Sequence, residues 1–150
     1  MRVNRRWVIG LVALAVVAAA LGVIGVRRGA LWQRTGPARG DATRGAKLYE
    51  TQPCASCHDI SRPWPGGDIC PNLGNIATEA ARIVRQGDYH GRAKDAAGYI
   101  RESIVDPNAY IVPGPTYRQA DGQSVMPKTF GQTLTPEQLD DLVAYLLTRR

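Results

Sequence analysis

The chain has 150 residues and a net charge of +6 that is distributed unevenly: residues 1–40 contain seven arginines and no acid, whereas residues 41–150 contain twelve basic and thirteen acidic residues. The net positive charge therefore comes from the amino-terminal segment. This argues against the basic folded surface expected of a nucleic-acid-binding domain. Three cysteines and two histidines leave too few ligands for a copper centre or an iron-sulfur cluster.

The first predicted element is a transmembrane anchor with basic flanks, in residues 1–28. No charge occurs from Trp7 to Val26, a run long enough for about 30 Å of helix and hence for one crossing of a bilayer core. Two other interpretations stay open: a signal peptide cleaved near the small residues Ala18-Ala19-Ala20, and a buried core helix. The apolar region of a signal peptide is usually shorter than this one, so the anchor is favoured.

Residues 29–40 are predicted to be a linker. They contain Gly36-Pro37 and show little periodicity, as is typical of a short tether. Residues 41–150 then make up the folded domain, which at about 110 residues is large enough to bury a core.

The folded domain is predicted to be all-α, with about four helices and no competing strand pattern. Capping and stop signals set their limits. The predicted helices run from Ala42 to Glu50 after the N-cap Asp41, from Ile76 to Arg85 before Gly87, from Asp95 to Val105 before Asp106-Pro107, and onward from Pro136 after the N-cap Thr135 with Gln138 in a capping box.

The pentapeptide Cys54-Ala55-Ser56-Cys57-His58 is the strongest chemical signal in the chain. Two thiols spaced C-x-x-C and followed by histidine are the pattern of c-type haem attachment. Cys54 and Cys57 can form thioethers with the porphyrin vinyl groups, and His58 can bind the iron as an axial ligand. The alternative is a redox dithiol beside a chance histidine, but no βαβ pattern surrounds the motif. The sequence predicts one covalently attached haem c.

A low-spin haem needs a second axial ligand, and the chain offers few candidates. Apart from Met1 the only methionine is Met126, and apart from His58 the only histidine is His90. Met126 follows a Pro/Gly-rich loop, whereas His90 lies in a turn-like stretch that is typical of a surface loop. Histidine opposite methionine is the pairing that raises the reduction potential in electron carriers, which favours Met126.

From about Asp41 to Arg150 the chain resembles the class I c-type cytochromes. The resemblance rests on Cys54–His58, on Cys70-Pro71-Asn72-Leu73-Gly74, on Met126-Pro127 and on the closing helix from Leu134 to Leu146. It implies a class I cytochrome c fold, with helices around a covalent haem, and a protein that transfers single electrons between redox partners without being an enzyme. It also implies that the Pro71 carbonyl meets Nδ1 of His58 and raises its basicity. The family usually has glycine where this chain has Cys70.

The same resemblance implies roles for several packing residues. Gly45 and Tyr49 on the first helix would let it cross the last helix closely; otherwise Gly45 is a weak position in a helix. The candidates for the haem wall, each equally an ordinary core residue, are Tyr99, Tyr110, Tyr117 and Phe130. Cys70, left without an intramolecular disulfide partner, is predicted to be a small buried apolar residue.

The resemblance finally bears on location and partners. Arginines flank the apolar run on both sides, so charge alone does not orient it. Haem attachment in this family occurs outside the bacterial cytoplasmic membrane, which implies an inside N-terminus, a single pass and a periplasmic haem domain. Residues 99–126 are similar to cytochrome c domains of haem-copper oxidases and other respiratory assemblies. A subunit of a respiratory or photosynthetic membrane complex, with donor and acceptor redox proteins, is therefore expected.

Two other functions stay open at this point. One is a haem enzyme or gas sensor, which needs a displaceable sixth ligand and nearby proton-transfer groups. The other is a structural or assembly subunit in which haem serves mainly stability.

Overall fold

The computed structural model describes residues 40–114 and 116–150. Across these residues the chain forms helices joined by turns and loops, with one isolated antiparallel bridge between Arg118 and Ser124 and no strand. The all-α expectation is confirmed for the described part of the chain. Its helices are α1 (Ala42–Thr51), α2 (Cys54–Cys57), α3 (Ile76–Ile83), α4 (Ala96–Val105), α5 (Phe130–Thr133) and α6 (Pro136–Leu146).

The expected transmembrane anchor and nearly all of the expected linker lie outside the described residues. Among the residues that are described, no helix has both the length and the apolar character needed to cross a bilayer. The boundaries 1–28, 29–40 and 41–150 therefore stay predictions.

The first and last helices begin as their capping residues predict. The Asp41 carboxylate accepts hydrogen bonds from the backbone N–H groups of Thr43 and Arg44, at 2.7 and 3.0 Å. At α6 the Thr135 hydroxyl accepts from the N–H of Gln138, whose side-chain oxygen accepts from the N–H of Thr135. Both arrangements satisfy backbone donors that a helix start leaves without intrahelical partners.

Helices α1 and α6 cross closely at Gly45. A Cβ atom at this position would overlap the backbone of Asp141 and would come 2.7 Å from the Cβ of Tyr145. The rings of Tyr49 and Tyr145 pack beside the crossing with centroids 5.6 Å apart. An ion pair between Arg44 Nε and Asp141 Oδ2, at 2.7 Å, spans the same two helices. Gly45 is therefore required by the close approach, and the weak-position interpretation is not needed.

Helix α3 ends two residues earlier than the sequence predicts. Beyond Ile83 the backbone closes tighter i→i+3 bonds, from the N–H of Arg85 to the carbonyl of Arg82 and from Gln86 to Ile83. Such tightening is common in the last turn of a helix and explains why the apolar spacing extends past the regular α-helix.

Helix α4 begins after Asp95, whose carboxylate accepts from the N–H of Gly98 at 2.7 Å, and it ends at Val105. Helices α3, α4 and α6 bury one face each in a common core that also receives Tyr49 from α1. A buried ion pair between Arg101 and Asp140 links α4 to α6 within this core. The four longer helices thus form a scaffold around this core.

Candidate haem-binding site

The two cysteines predicted to attach haem lie at the ends of the single-turn helix α2. Cys54 and Cys57 are three residues apart, a spacing that places side chains on neighbouring parts of one helix face. His58 follows in an extended conformation, and its N–H donates to the Cys54 carbonyl at 2.9 Å. The motif therefore presents two thiols and an imidazole within five residues of chain. This short helix was not expected from the sequence.

His58 is fixed by two hydrogen bonds that involve residues outside the motif. Its Nδ1 lies 2.6 Å from the carbonyl oxygen of Pro71, and its own carbonyl accepts from the Tyr49 hydroxyl at 2.6 Å. Because a carbonyl can only accept, Nδ1 carries the proton and Nε2 keeps a lone pair that can bind a metal. The Pro71 contact expected from the resemblance is present despite Cys70 replacing glycine. The Tyr49 contact was not predicted, since nothing in the sequence links Tyr49 to His58.

Burial acts on the same imidazole. It lowers the pKa of His58, and the hydrogen bond to Pro71 opposes that shift only in part. The ring is therefore neutral at neutral pH, as a metal ligand must be.

Two adjoining cavities open beside His58. They share the side chains of His58, Leu73, Ile104, Met126 and Leu146 as common walls. The larger one encloses about 700 Å³ of space, including its open mouth, and its size and largely apolar lining are those of a cofactor site. Of the four aromatic candidates for the haem wall, Tyr99, Tyr110 and Tyr117 line the larger cavity and Phe130 lines the smaller.

Met126 lies on the wall of both cavities, on a loop held by side-chain hydrogen bonds. The N–H of Met126 donates to the Ser124 hydroxyl at 3.2 Å, and the N–H of Ser124 donates to Oδ1 of Asn108 at 2.8 Å. Asn108 was not singled out from the sequence, although an asparagine just after a helix is a frequent loop-stabilising residue. These bonds fix the backbone at Met126 and just before it; Met126 is the only methionine in the described part of the chain.

His90 is placed differently. Its side chain is exposed, its Nδ1 lies 3.1 Å from the Asp88 carbonyl, and it lines neither cavity. Its ring stands edge-on to Tyr110, with centroids 5.3 Å apart, so one aromatic ring separates it from the larger cavity. Of the two candidates for the second axial ligand, only Met126 shares a cavity with His58.

The residues present fit a haem. The cavities offer apolar walls for the porphyrin, His58 offers a free Nε2, and Cys54 and Met126 lie on the wall of the smaller cavity. No group of three or more histidine, cysteine or acidic side chains arranged for a metal ion occurs in the described part of the chain. No competing metal site is therefore found there.

A comparison with known families agrees with this geometry. The family model for cytochrome c matches residues 42–150. The chain belongs to the cytochrome c family. No curated protein and no solved structure matches the chain.

As a cytochrome c, the protein carries covalently attached haem c and transfers electrons to and from redox partners. The bound haem supplies an iron that changes between the ferrous and ferric states. The chain supplies the apolar cavity, the thiols of the motif and the fixed tautomer of His58.

Cys70 is buried, as predicted for this third cysteine, and it lines the larger cavity beside Pro71. Burial and a side-chain hydrogen bond with Cys57 raise the pKa of Cys70 to about 12. At neutral pH this side chain is therefore a thiol, which is a poor nucleophile compared with a thiolate.

Proposed function

We propose that this cytochrome c is a membrane-anchored, single-haem electron carrier in which Cys54 and Cys57 form the thioethers. In this proposal His58 and Met126 are the axial ligands, and the Pro71 carbonyl orients His58. The observation that carries the proposal is that His58 and Met126 are walls of the same two cavities, whereas His90 lines neither.

The proposed ligand pair determines what the iron can do. With an imidazole on one side and a thioether sulfur on the other, both axial positions are filled and the potential is raised. A substrate would have to displace a ligand before it could bind. The exposed position of His90 also leaves no described imidazole besides His58 at the cavity for proton transfer. The site therefore favours electron transfer over a haem enzyme or gas sensor.

The ligand assignment is tested by replacing Met126 with alanine. We expect the variant to lose the sulfur-to-iron charge-transfer band of the ferric protein and to show a lower reduction potential, because the soft sulfur ligand that favours ferrous iron is gone. The measurement is an absorption spectrum combined with a redox titration.

The matched control is His90→Ala, which should keep both the band and the potential. If Met126→Ala were indistinguishable from the unmodified protein, Met126 would be rejected as a ligand. If instead His90→Ala lost the band, the ligand would be His90.

The proposal also includes the membrane. Its support is the uncharged run from Trp7 to Val26 and the concentration of arginine in residues 1–40. We infer a single pass with the N-terminus inside and the haem domain on the extracytoplasmic side, as part of a respiratory or photosynthetic complex with its electron donor and acceptor. The family's haem attachment outside the cytoplasm supports this orientation.

Removal of residues 1–28 tests the anchor, provided that an independent export signal replaces them. We expect the shortened protein to be recovered from the soluble periplasmic fraction with its haem, while the full chain stays with the membranes. The measurement is haem-stained gel electrophoresis of the two fractions. A full chain that is found soluble and shortened at its N-terminus would show a cleaved signal peptide instead.

A further inference from the structure

Tyr117 is a cavity-lining residue whose hydroxyl bonds to a distant part of the chain. The residue is 4% exposed and lines the larger cavity. Its hydroxyl donates to the carbonyl oxygens of Pro65 and Gly67, at 3.1 and 3.3 Å. Gly114 leaves room for the ring, because a Cβ atom there would overlap it. The ring and its hydroxyl are therefore held in one place, yet the proposed function gives Tyr117 no role.

The backbone of Tyr117 begins a hairpin that leads to Met126. The two arms of this Met126 hairpin, residues 117–125, meet in the isolated antiparallel bridge, and its turn includes Gly122 at a φ of +80°. The N–H of Val125, the residue before Met126, donates to the carbonyl of Tyr117 at 3.2 Å. A displacement of Tyr117 would therefore move the backbone next to the methionine.

The carbonyls at the other end of this link belong to a loop that orients His58. The His58 loop, residues 63–72, folds back on itself, since the N–H of Asn72 donates to the carbonyl of Pro65 at 2.9 Å. Near the end of the loop the carbonyl of Pro71 lies 2.6 Å from Nδ1 of His58. The loop is thus bonded directly to one of the two proposed axial ligands.

We propose that Tyr117 is a positioning residue for Met126: its hydroxyl ties the Met126 hairpin to the His58 loop and thereby keeps competing ligands off the iron. The inference rests on the proposed function, in which His58 and Met126 bind the iron. When a competing ligand replaces Met126, the coordinate bond from sulfur breaks and one from the new ligand forms, with no change in the number of electrons. The hairpin moves away with Met126, and the bond from Tyr117 to the loop breaks.

The bond from Tyr117 therefore affects how tightly a competing ligand binds. A ligand that binds only the open state has an apparent affinity that is reduced to the extent that the open state is rare. Loss of one hydrogen bond of ordinary strength should raise the open fraction about fivefold. Because the bond joins two loops, the helices of the scaffold should keep their packing without it.

The test is Tyr117→Phe in the haem-loaded full chain in detergent, which removes the hydroxyl and keeps the ring. The ferric protein is titrated with imidazole, and displacement of Met126 is read from the loss of the sulfur-to-iron charge-transfer band. We expect the dissociation constant for imidazole to fall about fivefold relative to the unmodified protein. Hydrogen exchange at the Val125 amide, followed by NMR, should become faster by a similar factor, since the hairpin opens more often.

The matched control is Tyr110→Phe. Tyr110 lines the same cavity, but its hydroxyl lies 3.4 Å from Oδ2 of Asp88, outside both the Met126 hairpin and the His58 loop. Its dissociation constant for imidazole should match that of the unmodified protein. Equal constants for Tyr117→Phe and Tyr110→Phe would overturn the inference.

A second variant, Gly114→Ala, acts on the same contact from the other side of the ring. The added methyl group would overlap the Tyr117 ring and should displace its hydroxyl from the two carbonyls. We expect tighter imidazole binding here as well, and this variant decides the question if Tyr117→Phe does not fold. Imidazole binding as weak as in the unmodified protein would then reject the link.

Failure of this inference is distinguishable from failure of the proposed function. An unmodified ferric protein without the charge-transfer band would reject Met126 as a ligand, and with it the proposed axial pair. A protein that shows the band, but binds imidazole equally well before and after Tyr117→Phe, would reject only the role of Tyr117.

Discussion

The crossing of α1 and α6 and the loops that face the cavity are held together in different ways. At the crossing, each stabilising feature belongs to a helix: an N-cap, a capping box, a glycine at the contact and a tyrosine pair. In the loops, single side chains bond to backbone groups far away in sequence. The Tyr117 hydroxyl, for example, donates to the carbonyl of Pro65 at 3.1 Å, across 52 residues.

The helix crossing should therefore determine mainly the stability of the domain, whereas the loops should determine mainly where the proposed iron ligands lie. The crossing buries apolar surface and brings the two ends of the described domain together, so changes there should act mainly on the free energy of unfolding. The loops carry His58 and Met126, so changes there should act mainly on the haem. Substitutions on each side of this division can test whether it is real.

The largest effect is expected at the crossing, from Gly45→Ala. The added methyl group would overlap the backbone of Asp141, which cannot move without displacing α6. We expect a loss of about 3 kcal/mol in unfolding free energy, at the upper end for overpacking a tight contact. The measurement is denaturant unfolding followed by circular dichroism, with the haem spectrum of the folded protein unchanged.

Gly87→Ala is the matched control. A Cβ atom at Gly87 would have no neighbour within 4 Å, and the residue does not adopt a positive φ. The same added methyl group should therefore be neutral or slightly stabilising, within about 0.5 kcal/mol. Equal losses at the two positions would contradict the close crossing.

A smaller effect is expected from Tyr49→Phe, which acts on both regions. The ring stays packed on Tyr145, but the hydroxyl that donates to the His58 carbonyl is removed. We expect a loss of about 1 kcal/mol, the usual worth of one hydrogen bond. Because the bond fixes the backbone of His58, the proposed axial ligand, the reduction potential should shift as well. The control is Tyr145→Phe, which changes the other ring of the pair. An identical reduction potential in the unmodified protein and both variants would show that the bond from Tyr49 does not position His58.

The helices of the scaffold could be predicted from the sequence because their signals are local. Asp41 and Thr135 cap helices within the next three residues, and Pro107 stops α4 one residue after its C-cap. The C-terminus of α3 was predicted too late because apolar spacing continues through a tightened last turn. The short helices α2 and α5 were missed because four residues are too few to show a periodic pattern.

The candidate site could be predicted from the sequence only where its reactive residues lie in one short segment. The motif from Cys54 to His58 and the single internal methionine identify the haem and its candidate ligands. The bonds from Tyr49 to His58 and from Tyr117 to Pro65 join residues whose sequence shows no shared pattern. Contacts of this kind depend on the path of the folded chain, which local sequence patterns do not predict.

Covalent attachment of one haem is tested most directly by the intact mass of the full chain after maturation in a host that attaches haem to c-type cytochromes. We expect the mass of the polypeptide plus one haem, with peptide mapping placing both thioethers on Cys54 and Cys57. A bare polypeptide mass from such a host would contradict it.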